Sequence, residues 1–98
     1  SGPVYKAVVR EADALVVSFD YADGLTTSDG KSPSTFEIAE VEGMYYPATA
    51  VVSGSTVRLT SPEVKHPRYV RYGWQPFTRA NLVNGDALPA STFRGEAQ

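Results

Sequence analysis

Apolar and polar residues alternate along most of this chain. Leu15, Val17 and Phe19 lie on one face of an extended segment, whereas Ser18 and Asp20 lie on the other. A period of two residues is typical of a β-strand with one buried face, and no segment sustains the period of about 3.6 residues that an amphipathic helix requires. The pattern therefore predicts an all-β protein.

Turn residues divide the alternating segments into short strands. The predicted strands cover residues 4–9, 15–20, 36–41, 44–46, 49–53, 56–60 and 69–74. Pro47 has no backbone N–H, which favours an edge strand or a bulge at its position. On the last strand, Val70, Tyr72 and Trp74 are predicted to share one face. Short strands separated by frequent turns are typical of an antiparallel sandwich rather than a parallel sheet.

The predicted fold is an immunoglobulin-like antiparallel β-sandwich over residues 1–80, followed by an irregular C-terminal tail over residues 81–98. We expect one core, with contributions from Leu15, Val17, Phe19, Ile38, Val57, Leu59, Val70 and Tyr72. The tail has no strand or helix period, but it carries Leu82, Leu88 and Phe93. It is therefore expected to pack on the sandwich or on a further domain, with Leu82 packed and the stretch beyond Pro89 most mobile.

Length and composition narrow the possible functions. The chain has 98 residues, a net charge of −2, one histidine and no cysteine. This length fits one domain, and the negative charge argues against nucleic acid or a membrane as a partner. Since a metal site would depend on one histidine and carboxylates, we expect neither a metal nor another cofactor. With no initiator Met and no signal peptide at Ser1-Gly2-Pro3, the sequence is interpreted as a piece of a longer protein.

Glu63 and His66 are a candidate pair for acid–base chemistry, because a carboxylate near a histidine can orient it as a general base. Pro62 and Pro67 bracket the segment, which is also typical of an exposed loop. No serine lies in a glycine-flanked nucleophile turn. We therefore predict that the chain contains no catalytic residue.

A second candidate is the acidic loop that contains Asp20, Asp23 and Asp29. Its carboxylates are oxygen ligands of the kind that Ca²⁺ prefers. Asp-Gly pairs are also common turn formers, and the spacing does not match an EF-hand. Ordinary turns are therefore the preferred interpretation.

Aromatic and basic residues leave two binding hypotheses open. An exposed tyrosine or tryptophan can stack on a sugar ring or fill a protein interface. The basic residues between Lys65 and Arg71 are expected to pair across strands with glutamates between Glu37 and Glu42. The candidate residues for an interface or for glycan contact are Tyr45, Tyr46, Trp74, Leu88, Phe93 and Arg94.

Several short motifs occur together in an order that resembles one known family. The two longest cover residues 70–74 and 88–94, the second with the pattern LPAS-x-F-R. Shorter motifs cover residues 1–6, 18–20, 29–31, 36–39, 46–48, 61–64 and 81–82. Together they make nearly the whole chain similar to the C-terminal region of sialate O-acetylesterases, which are carbohydrate esterases of the SGNH type of serine hydrolase.

The resemblance implies a non-catalytic β-sandwich that packs against the SGNH hydrolase domain of the same parent chain and supports it. The alternative is a carbohydrate-binding module that directs the esterase to acetylated glycan. The family's Gly-x-Ser and Asp-x-x-His blocks match no position here, so no catalytic residue is carried over. The resemblance also implies a secreted or periplasmic parent. One departure is Ala87, where the family usually has glycine before its Leu-Pro.

Overall fold

The computed structural model describes residues 1–75 and 79–98, and every regular element within these ranges is a β-strand. The strands are β1 (Val4–Glu11), β2 (Ala14–Asp20), β3 (Thr26–Thr27), β4 (Phe36–Ala39), β5 (Tyr46–Pro47), β6 (Thr49–Ser53), β7 (Thr56–Thr60), β8 (Tyr69–Tyr72), β9 (Leu82–Val83) and β10 (Phe93–Glu96). The all-β prediction is therefore confirmed. Residues 76–78 of the predicted sandwich segment lie outside the described residues. In the part that is described, no helix is long and apolar enough to cross a membrane.

Two four-stranded antiparallel sheets form the sandwich. The first sheet has the strand order β1-β2-β7-β6, and the second has the order β10-β8-β4-β5. A further two-stranded pair joins β3 to β9. Pro47 lies in β5 at the edge of the second sheet, where its missing N–H removes no bond to a further strand.

The core lies between the two sheets. All eight of the predicted core residues are at most 5% exposed: Leu15, Val17, Phe19, Ile38, Val57, Leu59, Val70 and Tyr72. The register explains this burial, since Leu15 pairs with Leu59 and Val17 pairs with Val57 on adjacent strands. Each fully buried aliphatic side chain stabilises the fold by about 1.5–3 kcal/mol relative to its exposure.

Trp74 does not share the buried face of Val70 and Tyr72, contrary to the sequence prediction. The strand β8 ends at Tyr72, and Gly73 has a φ of +71°, which redirects the chain before Trp74. Tyr72 is 1% exposed, whereas Trp74 is 49% exposed. The alternation stops because the extended conformation stops.

The segment 81–98, which was predicted to be irregular, contains two short strands and is irregular outside them. Leu82 and Val83 pair with β3, and Phe93–Glu96 pairs with β8. Leu82 is 1% exposed, as predicted. These segments are too short for a visible period, and their pairing partners are distant in sequence. The mobility expected beyond Pro89 stays a prediction.

Candidate interaction surfaces

Phe93 contributes mainly to the interior of the domain. Its ring centroid lies 4.8 Å from that of Tyr5, 5.6 Å from that of Phe19 and 5.8 Å from that of Tyr72. Gly95, two residues later, leaves room for Tyr5: an added Cβ would overlap the tyrosine hydroxyl and lie 2.6 Å from Cζ. Phe93 therefore fixes β10 to the sandwich and offers only part of its ring to a partner.

Tyr45 and Arg94 lie on the outer face of the second sheet, on either side of Arg71. Arg71 Nε donates a hydrogen bond to Glu37 Oε1 at 2.7 Å, as predicted for this cross-strand pair. The Arg71 guanidinium carbon lies 4.0 Å from the Tyr45 ring centroid. Burial raises the pKa of Tyr45, and the nearby charge of Arg71 opposes that shift. One face of the Tyr45 ring is thus already covered.

Arg94 borders a shallow groove on this outer face. The groove has a volume of about 250 Å³ and is lined by Glu42, Tyr45, Tyr69, Arg94, Gly95 and Glu96. Glu96 forms a salt bridge with Arg68 at 2.7 Å. Arg68 therefore does not pair with Glu37, Glu40 or Glu42, contrary to the sequence prediction for the basic residues between Lys65 and Arg71. The groove therefore combines the exposed guanidinium of Arg94 with two carboxylates and two tyrosine side chains.

Tyr46 belongs to a different, apolar patch at the turn between β4 and β5. Val41, Met44 and Tyr46 are 59%, 58% and 36% exposed, respectively. With Val64 they line a groove of about 140 Å³. Sequence reasoning identified Tyr46 but missed Val41 and Met44, because a turn gives no periodic signal for exposure.

Trp74 and Leu88 lie at the end of the sandwich where the chain begins. Because Tyr5 in β1 stacks on Phe93 in β10, and Phe93 pairs with Tyr72, the start of β1 and the end of β8 share this end. Leu88 is 40% exposed. Tyr21, which follows β2 at the same end, is 66% exposed. We give the name Ser1 surface to the part of this end that is defined by Ser1, Tyr21, Asn84 and Leu88.

The side chain of Asn84 connects the separate segments of the Ser1 surface. Its Nδ2 donates hydrogen bonds to the carbonyl oxygens of Ser1 at 2.9 Å and of Tyr21 at 3.1 Å. Its Oδ1 accepts hydrogen bonds from the backbone N–H groups of Asp86 at 3.0 Å and of Leu88 at 3.1 Å. Asn84 is 6% exposed, and these four bonds satisfy the capacity of its amide. Sequence reasoning missed it, because Asn84-Gly85 is also an ordinary turn signal.

Two residues of this region have a backbone conformation that favours glycine. Tyr21 has a φ of 55° and Ala87 has a φ of 62°. The left-handed region costs a residue with a Cβ about 1–2 kcal/mol. Ala87 occupies the position where the family that the sequence resembles usually has glycine, and its φ gives the physical reason for that glycine.

Glu63 does not orient His66 in the structure. Ser61 Oγ donates a hydrogen bond to Glu63 Oε2 at 2.8 Å. His66 is exposed, and it lines an open groove that includes Arg10 and Arg68. No hydrogen bond joins Glu63 to His66, both of which are described. The pair therefore lacks the geometry of an oriented general base.

Asp29 of the acidic loop stabilises a turn. Its Oδ1 accepts hydrogen bonds from the backbone N–H of Lys31 at 3.0 Å and from Asn81 Nδ2 at 2.9 Å. The Lys31 bond, followed by the Asn81 bond, holds the pKa of Asp29 below its usual value. Over residues 1–75 and 79–98, no cluster of three potential metal ligands occurs. The contacts of Asp29 thus fit the turn interpretation.

The fold and the surfaces define a small antiparallel β-sandwich domain. Among solved structures, the chain is similar to the crystal structure of XAC1771, a novel carbohydrate acetylesterase from Xanthomonas citri. The identity is 37% and the TM-score is 0.90, and the match covers 100% of this chain but 23% of that protein's chain. No family model matches the chain, and no curated protein does. The chain therefore has the fold of one small part of a carbohydrate acetylesterase.

Proposed function

We propose that this chain is a non-catalytic accessory domain of a carbohydrate acetylesterase of the sialate O-acetylesterase type. In this proposal the sandwich packs against the SGNH hydrolase domain of the same parent chain and supports it. The observation that carries the proposal is the match to XAC1771, which includes the whole sandwich but less than a quarter of that esterase.

The chemistry of the described residues supports a non-catalytic role. Hydrolysis of an ester by a serine enzyme needs a nucleophile with a base within hydrogen-bond reach. His66 is the only histidine of the chain, and its side chain is exposed without a bond to Glu63. The reacting groups of the esterase are therefore expected in the rest of the parent.

A carbohydrate-binding module is the alternative function. Binding of consecutive sugars usually needs exposed aromatic rings close to one another. Of the three candidate rings, Tyr46 lies at the β5 edge, Trp74 follows the end of β8, and one face of Tyr45 is covered by Arg71. This separation favours a supporting role over glycan binding.

The experiment compares acetate release from an acetylated polysaccharide by the parent protein and by residues 1–98 alone. We expect turnover by the parent only, and unchanged turnover when the parent carries His66→Ala. Turnover by residues 1–98 that disappears with His66→Ala would overturn the non-catalytic assignment. Absence of turnover by the parent would overturn the esterase assignment. Binding of the polysaccharide by residues 1–98, lost on Tyr46→Ala or Trp74→Ala, would support the carbohydrate-binding alternative.

A further inference from the structure

We propose that the free edge of β6 binds an extended polypeptide segment, which adds a further strand to the first sheet. The segment lies in a groove between β6 and the loop of residues 30–33. This groove has a volume of about 370 Å³. The proposal names a binding surface and its class of ligand, and it does not depend on the esterase assignment.

The hydrogen-bonding pattern of β6 leaves backbone groups unpaired along this groove. Ser53 and Thr56 flank the two-residue turn between β6 and β7, so they form a hydrogen-bonded pair, and bonded pairs then alternate along the hairpin. The N–H and C=O groups of Ala50 and Val52 therefore point away from β7. In the part of the chain that the structure describes, these groups have no hydrogen-bond partner.

The strand that pairs with this side of the chain stops where β6 begins. The Ala48 N–H donates a hydrogen bond to the Phe36 carbonyl oxygen at 2.9 Å, so β4 accompanies the chain as far as Ala48. Thr35 has a φ of 64°, which ends the extended conformation of β4. An antiparallel continuation would place Ser34 beside β6, but the Ser34 N–H instead donates to Asn81 Oδ1 at 2.9 Å. The pairing side of β6 is therefore left open beyond this point.

The opposite wall of the groove is fixed at a distance from β6. Asn81 Nδ2 donates hydrogen bonds to Asp29 Oδ1 at 2.9 Å and to the Ser32 carbonyl oxygen at 3.1 Å. These bonds and the bond from Ser34 hold the loop to Asn81, which is 4% exposed. The groove is thus preformed, and a segment can enter it without displacing the loop.

The chemistry of the groove favours an extended, acidic polypeptide. The unpaired groups of Ala50 and Val52 recur at about 7 Å along β6, a spacing that another strand reproduces. Among the described residues, no aromatic side chain lines the groove, so no ring is available to stack on a sugar. Lys31 is its one charged lining residue, which favours a carboxylate on the segment. In a symmetric pair of sandwiches, the loop of each copy would lie on the side from which the other strand approaches.

The test is amide hydrogen exchange of the 98-residue chain, followed by NMR, with a synthetic peptide as the probe. The peptide is about seven residues long, alternates valine and threonine, and carries a central glutamate. At a peptide concentration of about ten times the Kd, exchange of the Ala50 and Val52 amides should slow about tenfold. The Val51 amide is the internal control and should not change, because it already bonds to Arg58 in β7.

Two peptides N-methylated at every second residue, in opposite phases, are the matched controls. The peptide whose methyl groups face β6 should give no protection, whereas the other should protect Ala50 and Val52. Exchange of the peptide's glutamate for lysine should weaken binding about two- to fivefold. Lys31→Glu should restore that affinity, and Lys6→Glu, an exposed change on β1, should not.

Four outcomes would overturn the proposal. The first is no protection at millimolar peptide, and the second is equal protection by both N-methylated peptides. The third is protection of Ala50 and Val52 by an acetylated polysaccharide without peptide, which indicates a sugar site. The fourth is protection that grows with protein concentration alone, which indicates a second copy of the chain.

Discussion

Replacing Tyr72 by phenylalanine removes one oxygen atom from the centre of the domain and leaves the ring in place. The Tyr72 hydroxyl accepts a hydrogen bond from the backbone N–H of Leu82 at 2.9 Å. Both residues are 1% exposed, so water does not reach this bond. The bond connects β8 of the second sheet to β9 and therefore to the segment that leads into the Ser1 surface.

The expected loss of unfolding free energy follows from the backbone N–H of Leu82, which remains after the hydroxyl is removed. In the Tyr72→Phe variant the N–H of Leu82 stays buried without a partner, and such a loss costs about 1–3 kcal/mol of unfolding free energy. For a domain of this size each kcal/mol lowers the melting temperature by about 4–8 °C. The ring contacts of Tyr72 with Phe36, at a centroid distance of 4.6 Å, should be retained.

Urea unfolding followed by circular dichroism measures the cost. We expect a lower midpoint with an unchanged m-value, because the surface exposed on unfolding is nearly the same. Tyr46→Phe is the matched control, since its side chain is 36% exposed and water can hydrate any group left unpaired. Equal stability of the Tyr72→Phe variant and the unsubstituted protein would refute the reasoning.

The stability difference between the Tyr72→Phe variant and the unsubstituted protein should also depend on pH in the alkaline range. Burial raises the pKa of Tyr72 above its usual value of 10.0, although the bond from Leu82 opposes the shift. The unfolded state therefore loses this proton first, and the stability that the neutral tyrosine contributes is lost as the pH rises above about 10. Since phenylalanine cannot ionise, the difference in unfolding free energy between the two proteins should narrow there. A difference that is constant from pH 8 to pH 11 would contradict the assignment.

Three further substitutions test single contacts by the same unfolding assay. Gly95→Ala places a methyl group against Tyr5 and should destabilise the domain by about 1–3 kcal/mol, whereas an unchanged midpoint would mean that the ring moves freely aside. Ala87→Gly relieves a φ of 62° and should stabilise by about 0.5–1 kcal/mol; a loss of stability would show that the strain is absent. Glu37→Gln leaves the charge of Arg71 without its partner. Because the side chains of Glu37 and Arg71 are only 12% and 26% exposed, we expect a loss of about 1–2 kcal/mol of unfolding free energy. The control Glu11→Gln removes the exposed ion pair between Glu11 and Arg58 and should cost less than about 0.5 kcal/mol. Equal costs for the two substitutions would argue against an effect of burial.

Individual residues of the candidate surfaces could be predicted from the sequence, but not which of them lie together. Tyr45 and Tyr46 were identified from residue type, because an aromatic ring can stack on a sugar or fill an interface. Leu88 and Arg94 were identified from their place in a tail without a strand or helix period. Their grouping was not predictable. Tyr45 and Arg94 line one groove because β4, β8 and β10 are adjacent, and Tyr46 lies in another.

In the segments that alternate regularly, the local conformation was determined by the sequence alone. Alternate residues of an extended chain point to opposite sides whatever the partner strand is, so the pattern Leu15, Val17, Phe19 specified a strand and its buried face together. Pro47 specified an edge by the same kind of local reason, the absence of one backbone donor. These features need no knowledge of the rest of the chain.

Only the tertiary structure decided which distant segments meet. The strand β10 follows an irregular connection, and it is a strand because β8 offers an unpaired side and Phe93 fits beside Tyr72. Asn84 bonds a carbonyl 83 positions away in sequence. Backbone donors and acceptors must be satisfied somewhere, but the partner is chosen by the packing of the whole chain. No local period can encode that choice, because it depends on which surfaces the folded sheets bring together.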